Sequence, residues 1–318
     1  MFCLCCGKEL KDKESCRSGW HSKCIKTFFN TDNLPELDIS NIIIEKMAVA
    51  NIDKRLTVAG VQKKISLHLS DDNGYRLTVV DYPTGYILKP PTREYDFLPE
   101  YEQLSMLMAD ATGIRTVPHA LIKTGKTYSY ITRRIDRKIA GEKIEKYAME
   151  DFCQLSEKLT IDKYKGSYEQ CGKIVKSYSS IVGFDLSELF IRIVFSYVIG
   201  NSDMHLKNFS LIETNPGSRE YRLSGAYDML PVNIVLPEDD EEMALMLNGK
   251  KKNLRKKDFI ALADNYGLNE KTANKLIDSV CSKKESYYRL CEESPLNDEE
   301  KKKIKDLIDK RIGVLCRQ

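Results

Sequence analysis

The sequence predicts an α+β chain in two lobes, strand-rich first and helical second, behind a small cysteine-rich head. Three observations carry this. Cys3, Cys5, Cys6, Cys16 and Cys24, half of the ten cysteines, crowd the first 24 residues. From residue 55 onward, short runs of β-branched and aromatic residues stand between turn sequences, the pattern of strands. Beyond residue 148 the apolar spacing lengthens to that of helices. The expected division is a head over 1–40, a strand-rich lobe over 41–132 and a helical lobe over 133–318.

Within the head, Cys3 and Cys6 form C-x2-C, and His21 with Cys24 forms H-x2-C. Thiolate and imidazole at these spacings suit a tetrahedral zinc ion. Cys5 and Cys16 compete for the same role, and a reduced cap with incidental thiols is the alternative. The segment "NTDNLPELDIS" reads as a connector, because turn residues dominate it. Strands follow at "ISLHLS", "YRLTVVD" and "GYILKP", then a helix at "PEYEQLSMLMADATGI", then strands at "VPHALIK" and "YSYITRRID". In the second lobe, "MEDFCQLSEKL", "YEQCGKIVKSYSSIV" and "LSELFIRIVFSYVIG" predict helices, "NFSLIE" and "YRLSGAYD" short strands, and the tail a helix with Ile304, Leu307, Ile308 and Leu315 on one side.

Lys and Arg number 50 against 47 Asp and Glu, a net charge of +3, so no global field points to nucleic acid. The basic run "GKKKNLRKK" at 249–257 reads as a solvated face rather than a docking patch. No stretch approaches the roughly 20 apolar residues of a membrane span, and "MFCLCCGKEL" lacks the regions of a signal peptide. The expectation is a cytoplasmic chain with no membrane partner and no direct nucleic-acid contact.

"GNSDMHLKNFSL" packs Asp203, His205, Lys207 and Asn208 together directly after an apolar run. On its own a polar cluster of this kind is a solvated loop. Phosphoryl transfer, however, needs an acid at the acceptor hydroxyl, oxygen ligands for magnesium and a cation on the phosphates. Asp203, Asn208, Asp228 and Lys89 supply these types, and the five-residue step from Asp203 to Asn208 is that between base and metal-binding amide in a kinase catalytic loop.

"SDMHLKNFSL", "AYDMLP", "YILKP", "TRRIDR" and "TVAGVQKKISL" together resemble the HipA family of bacterial serine/threonine kinases. The resemblance implies a two-lobed protein-kinase-like fold that uses ATP and magnesium, with Asp203 as proton acceptor, Asn208 and Asp228 on the metal, and Lys89 on the phosphates with Glu102 as counter-ion. It further implies that Ala59, Gly60, Val61, Gln62, Lys63 and Lys64 cover the phosphates. Arg133, Arg134 and Ile135 would lie beside adenine, and His205, Lys207 and Tyr227 would complete the pocket. His205 also reads as a brace for its loop, and Asp136 as structural, paired with an arginine. By the same resemblance, Thr57 stands at the position of a phosphorylatable serine and is the expected site of autophosphorylation. The implied partners are a protein substrate, with a translation component such as an aminoacyl-tRNA synthetase in view, a helix-turn-helix antitoxin, and a separate small protein equivalent to the family's N-terminal β domain. This chain carries the head in place of that domain, and it has Arg133 and Ile135 where the family has an acid and an aromatic residue. A regulatory pseudokinase with a zinc-ribbon-like head is the competing reading.

Overall fold

The computed structural model describes residues 1–38, 64–70, 75–79, 85–140 and 143–316. These form two compact units, one of 1–107, 117–134 and 290–296, the other of 108–116, 135–289 and 297–318. Thr57 and the segment Ala59–Lys63 lie outside the described residues, as does the expected head boundary near residue 40.

The first unit holds a six-stranded sheet in the order β1-β3-β2-β4-β6-β5, formed by β1 (Glu36–Asp38), β2 (Ile65–Ser70), β3 (Arg76–Val79), β4 (Tyr86–Lys89), β5 (His119–Thr124) and β6 (Thr127–Arg133). Neighbours are antiparallel except β1, which runs parallel to β3 with Glu36 opposite Arg76. This corrects the expectation of a connector at "NTDNLPELDIS": its Glu-Leu-Asp end finds an open strand edge, and that pairing overrides its turn-rich composition.

The head folds into two short helices, α1 (Lys13–Ser18), capped by Asp12, and α2 (Ser22–Phe29), ended by left-handed Asn30. Its aromatic residues do not form a separate core. Trp20, Phe28 and Phe29 pack with Leu67, Tyr86, Leu88 and Ile131 of the sheet, and Phe28 stacks on Tyr86 at 5.9 Å between ring centroids. Helix α3 (Leu98–Thr112) follows β4 and is buried almost all round between Tyr101 and Ser105.

The second unit centres on α6 (Val182–Ile199), most of which is buried from Asp185 through Ile199, including the ion pair Arg192–Glu188 at 2.8 Å. Before it come the hairpin β7 (Arg137–Ala140) and β8 (Lys143–Lys146), the strand β9 (Met149–Asp151), α4 (Phe152–Leu155) and α5 (Tyr168–Tyr178). After it come β10 (Ser210–Glu213), β11 (Tyr221–Leu223), α7 (Val232–Val235), α8 (Lys256–Tyr266), α9 (Glu270–Cys281), α10 (Lys284–Glu293) and α11 (Asp298–Cys316). The helix expected at "MEDFCQLSEKL" is a strand and one turn: Met149–Asp151 pairs antiparallel with β10, and Asp151 then caps α4 with a capping box to Gln154. Three of the six basic residues in the run at 249–257 are paired, Lys250–Asp258 at 2.8 Å, Lys251–Glu241 at 3.0 Å and Lys252–Asp240 at 2.6 Å. Among the described residues no helix is long and apolar enough to cross a membrane.

Candidate functional site

In the second unit, α6 stops at Gly200, whose φ of 72° lets the chain turn sharply out of the helix. The loop that follows folds on itself. Asn201 Oδ1 accepts from the Asp203 amide at 3.2 Å, the Asp203 carbonyl accepts from the His205 amide at 2.8 Å, and Asn208 closes a single 3-10 turn, Leu206–Asn208. Asn208 Nδ2 donates to the Asp203 carbonyl at 3.0 Å, so its amide oxygen is the donor atom left for a cation. The solvated loop expected from the hexapeptide is largely buried: Met204, His205, Leu206 and Asn208 are buried, and only Asp203 and Lys207 are half-exposed. Tyr168 helps hold it down by donating to the Met204 carbonyl at 3.0 Å.

Burial pushes the Asp203 carboxyl up to about 6, against the hydrogen bond that Tyr164 donates to Oδ1 at 2.5 Å and the charge of Lys163. His205 is pulled down to about 3, mainly by burial and then by Lys163, so it stays neutral at physiological pH. Its ring packs edge-on against Tyr164, 5.0 Å between centroids, and neither ring nitrogen has a hydrogen-bond partner among the described residues. It fills space in the loop, and its ring nitrogens do not brace backbone carbonyls. Lys207 is held by Asp151 at 2.7 Å. Tyr227 reaches Ser210 at 2.5 Å and donates to the Lys207 carbonyl at 3.1 Å, so it fixes the loop from the side of β10. Asp228 has a φ of 55°, unusual for a residue with a Cβ, and its charge adds to the upward pull on Asp203. The hard oxygens of Asp228 and Asn208 are of the kind magnesium takes.

In the first unit, Lys89 ends β4 and its ammonium lies 2.5 Å from Glu102 of α3, with side-chain exposures of 5% and 1%. The Tyr130 ring faces the same ammonium at 5.2 Å. A pair this buried costs desolvation that its attraction barely offsets, so it is weak as a source of stability. Lys64 begins the described chain before β2. Arg133 donates to the carbonyls of Thr27 and Phe28, at 3.3 and 3.4 Å, and the Arg134 amide donates to the Gly85 carbonyl at 2.8 Å. Ile135 is half-buried and opens the next segment of the second unit, and Asp136 pairs with Arg137 at 3.2 Å.

The head brings Cys3, Cys6, His21 and Cys24 together with their ligand atoms all within 4.8 Å of one another. His21 Nδ1 lies 3.5 Å from Cys6 Sγ and 3.8 Å from Cys24 Sγ. Ligand bonds of about 2.0–2.3 Å in a tetrahedron give edges of about 3.5–3.8 Å. His21 Nε2 is engaged with the Glu9 carbonyl at 3.1 Å, which leaves Nδ1 to face the thiols. Cys16 is turned to the Leu10 carbonyl, and Cys5, which reaches the His119 carbonyl and also approaches the Cys24 thiol, lies outside the group of four. Residue spacing offered no sign of Tyr164, 39 positions before Asp203, or of Gln103, which sits 98 positions from the Cys5 carbonyl it binds.

Residues 56–287 match the family described as the HipA-like C-terminal domain. The candidate kinase Y4dM of Sinorhizobium fredii is 32% identical over 80% of this chain and 64% of its own. A candidate kinase of Haemophilus influenzae is 25% identical over 92% of this chain and 91% of its own. Among solved structures, HipA of Shewanella oneidensis, in its complex with HipB and operator DNA, superposes with a TM-score of 0.70 at 17% identity over 83% of this chain and 66% of that one. The chain thus spans just under two thirds of Y4dM and of that HipA, and the second likeness is one of fold. The kinase-like α+β fold with a sheet-rich and a helical part is the one expected. Its family match extends over more than half of its length, and the chain belongs to the family of the HipA-like C-terminal domain.

Proposed function

We propose that the chain is an ATP- and magnesium-dependent protein kinase acting on serine or threonine. The observation that carries this is the buried Lys89–Glu102 pair between a strand and a helix, the strand-lysine and helix-glutamate pair that protein kinases require for activity. Lys89 binds the nucleotide phosphates while Glu102 fixes its ammonium. Asp203 accepts the proton of the attacking hydroxyl, for which a carboxyl near 6 is better suited than an ordinary one. Asn208 and Asp228 hold magnesium, which when bound neutralises charge on the transferred phosphoryl group. Tyr227 and Lys207 keep that loop in register, and the head holds a structural zinc on Cys3, Cys6, His21 and Cys24. The kinase names of Y4dM and the Haemophilus protein support the reading. A nucleotide-binding relic would have no use for Asp203 in this setting.

By resemblance, Ala59 to Lys64 cover the phosphates, Arg133 to Ile135 flank adenine, and the target is a translation component such as an aminoacyl-tRNA synthetase. The HipA match in complex with HipB and DNA supports an antitoxin as partner. Autophosphorylation at Thr57 would displace the phosphate-covering segment and switch the enzyme off.

Transfer of labelled phosphate from ATP to a protein pool tests the activity. Asp203→Ala and Asp228→Ala should each abolish it, but only Asp228→Ala should weaken Mg-ATP binding. Wild-type transfer in either variant refutes the assignment. Phosphosite mapping after incubation with ATP tests Thr57, and a modified Ser66 in its place would overturn that part.

A further inference from the structure

Gln103, one residue beyond Glu102 on α3, has no place in the chemistry above, yet it is 3% exposed and bonded at every polar atom. Its Nε2 donates to the carbonyls of Leu4 at 3.2 Å and Cys5 at 2.9 Å, and its Oε1 pairs with His119 Nδ1 at 2.8 Å. Leu4 and Cys5 lie between the first two ligands of the Cys/His cluster, in a knuckle closed by Cys3 N–H to Lys8 O at 2.8 Å and Gly7 N–H to Cys3 O at 2.9 Å. The Leu4 carbonyl also accepts from the Leu121 amide of β5 at 2.9 Å. A second contact lies one turn along the helix: a Cβ added at Gly7 would come 3.1 Å from Leu107 Cδ1. The knuckle therefore rests directly on α3.

We propose that Gln103 is a positioning residue, tying α3 to the metal-bound knuckle so that zinc in the head sets the affinity of the Lys89 site for nucleotide phosphate. The proposal rests on the reading of Lys89 as the phosphate-binding group. Residues 3–8 contain no helix and only an isolated bridge at Phe2–Glu9. Four metal bonds fix such a loop where its backbone alone does not. The carbonyls of Leu4 and Cys5 are thereby aimed at Gln103. In a helix successive side chains point about 100° apart, so Gln103 faces the knuckle while Glu102 faces Lys89. Both are buried and neither can move without the other. If the knuckle loosens, Gln103 loses its acceptors, α3 shifts, and the Lys89 ammonium loses the 2.5 Å partner that holds it extended.

The test measures zinc content and Mg-ATP affinity of the full chain, the first by elemental analysis and the second by calorimetry. Gln103→Met keeps side-chain length and removes both amide donors. It should retain one zinc per chain, which shows that the head is still folded, and bind Mg-ATP roughly tenfold more weakly, the scale of one to two lost hydrogen bonds. Stripping wild type with a zinc-selective chelator should weaken binding at least as much, and stripping Gln103→Met should add little further. Lys89→Ala is the reference. If it binds Mg-ATP as wild type does, the nucleotide reading itself fails, and this inference with it. If Lys89→Ala is weakened while Gln103→Met is not, only the brace is refuted, and a wild-type chain prepared without chelator that contains no zinc refutes it as well.

Discussion

At Asp203 stability and the proposed chemistry pull in opposite directions. Its carboxyl titrates near 6 in the folded chain against 3.8 for an ordinary aspartate, so folding disfavours its charged form. The sign follows: the folded state binds the proton more tightly, so the charge costs stability above about pH 6 and the cost fades as pH falls toward 3.8. Asp203→Asn, which keeps an acceptor for Tyr164, should therefore raise the free energy of unfolding at pH 7.5 by roughly 1–2 kcal/mol, read by denaturant melts, once solvent screening of a half-exposed group is allowed for. At pH 4 the gain should be largely gone, and a variant less stable than wild type at pH 7.5 would count against the raised carboxyl. The same group predicts activity: initial transfer rates should fall about tenfold per pH unit below roughly pH 6. His205, neutral throughout that range, should not add a second limb.

Helix packing sets the next scale. Gly172 of α5 faces Tyr266 of α8, and a Cβ there would come 2.3 Å from the ring. Alanine in place of glycine favours a helix by roughly 1 kcal/mol, but overpacking a buried ring contact costs about 1–3 kcal/mol, so Gly172→Ala should destabilise. Thermal melts of Gly172→Ala alone and combined with Tyr266→Leu check this: the second change should recover part of the loss. Elements with a clean period were legible from sequence, among them α5, α6 and the strands β2 to β6. What escaped was decided by partners distant in the chain. Glu36–Asp38 becomes a strand because β3 offers an edge, and Met149–Asp151 becomes one because β10 does. Of the candidate residues, residue type and spacing pointed to Asp203, Asn208, Asp228 and Lys89, while Glu102 entered only through the family resemblance. Tyr164 and Gln103 were not visible, since a single tyrosine or glutamine carries no local signal.

Over the whole molecule, the head is part of the sheet's own core and not an appendage. A chain starting at residue 39 would lose Trp20, Phe28 and Phe29 and the strand paired with β3, and would expose Tyr86, Leu88 and Ile131. Such a truncation should aggregate or be digested rapidly under limited proteolysis that leaves the full chain intact. The surface carries its own consequence through Lys250, Lys251 and Lys252. The Lys251–Glu241 and Lys252–Asp240 pairs lie at the surface and add little to stability, so their effect lies in how the surface meets a polyanion. With Asp258, Glu241 and Asp240 each holding one lysine, the three consecutive lysines offer a heparin column less charge than their sequence suggests. The intact chain should elute at low salt, whereas Asp240→Asn combined with Glu241→Gln should be retained to distinctly higher salt, turning an inert stretch into an adhesive one by removing acids and adding no base.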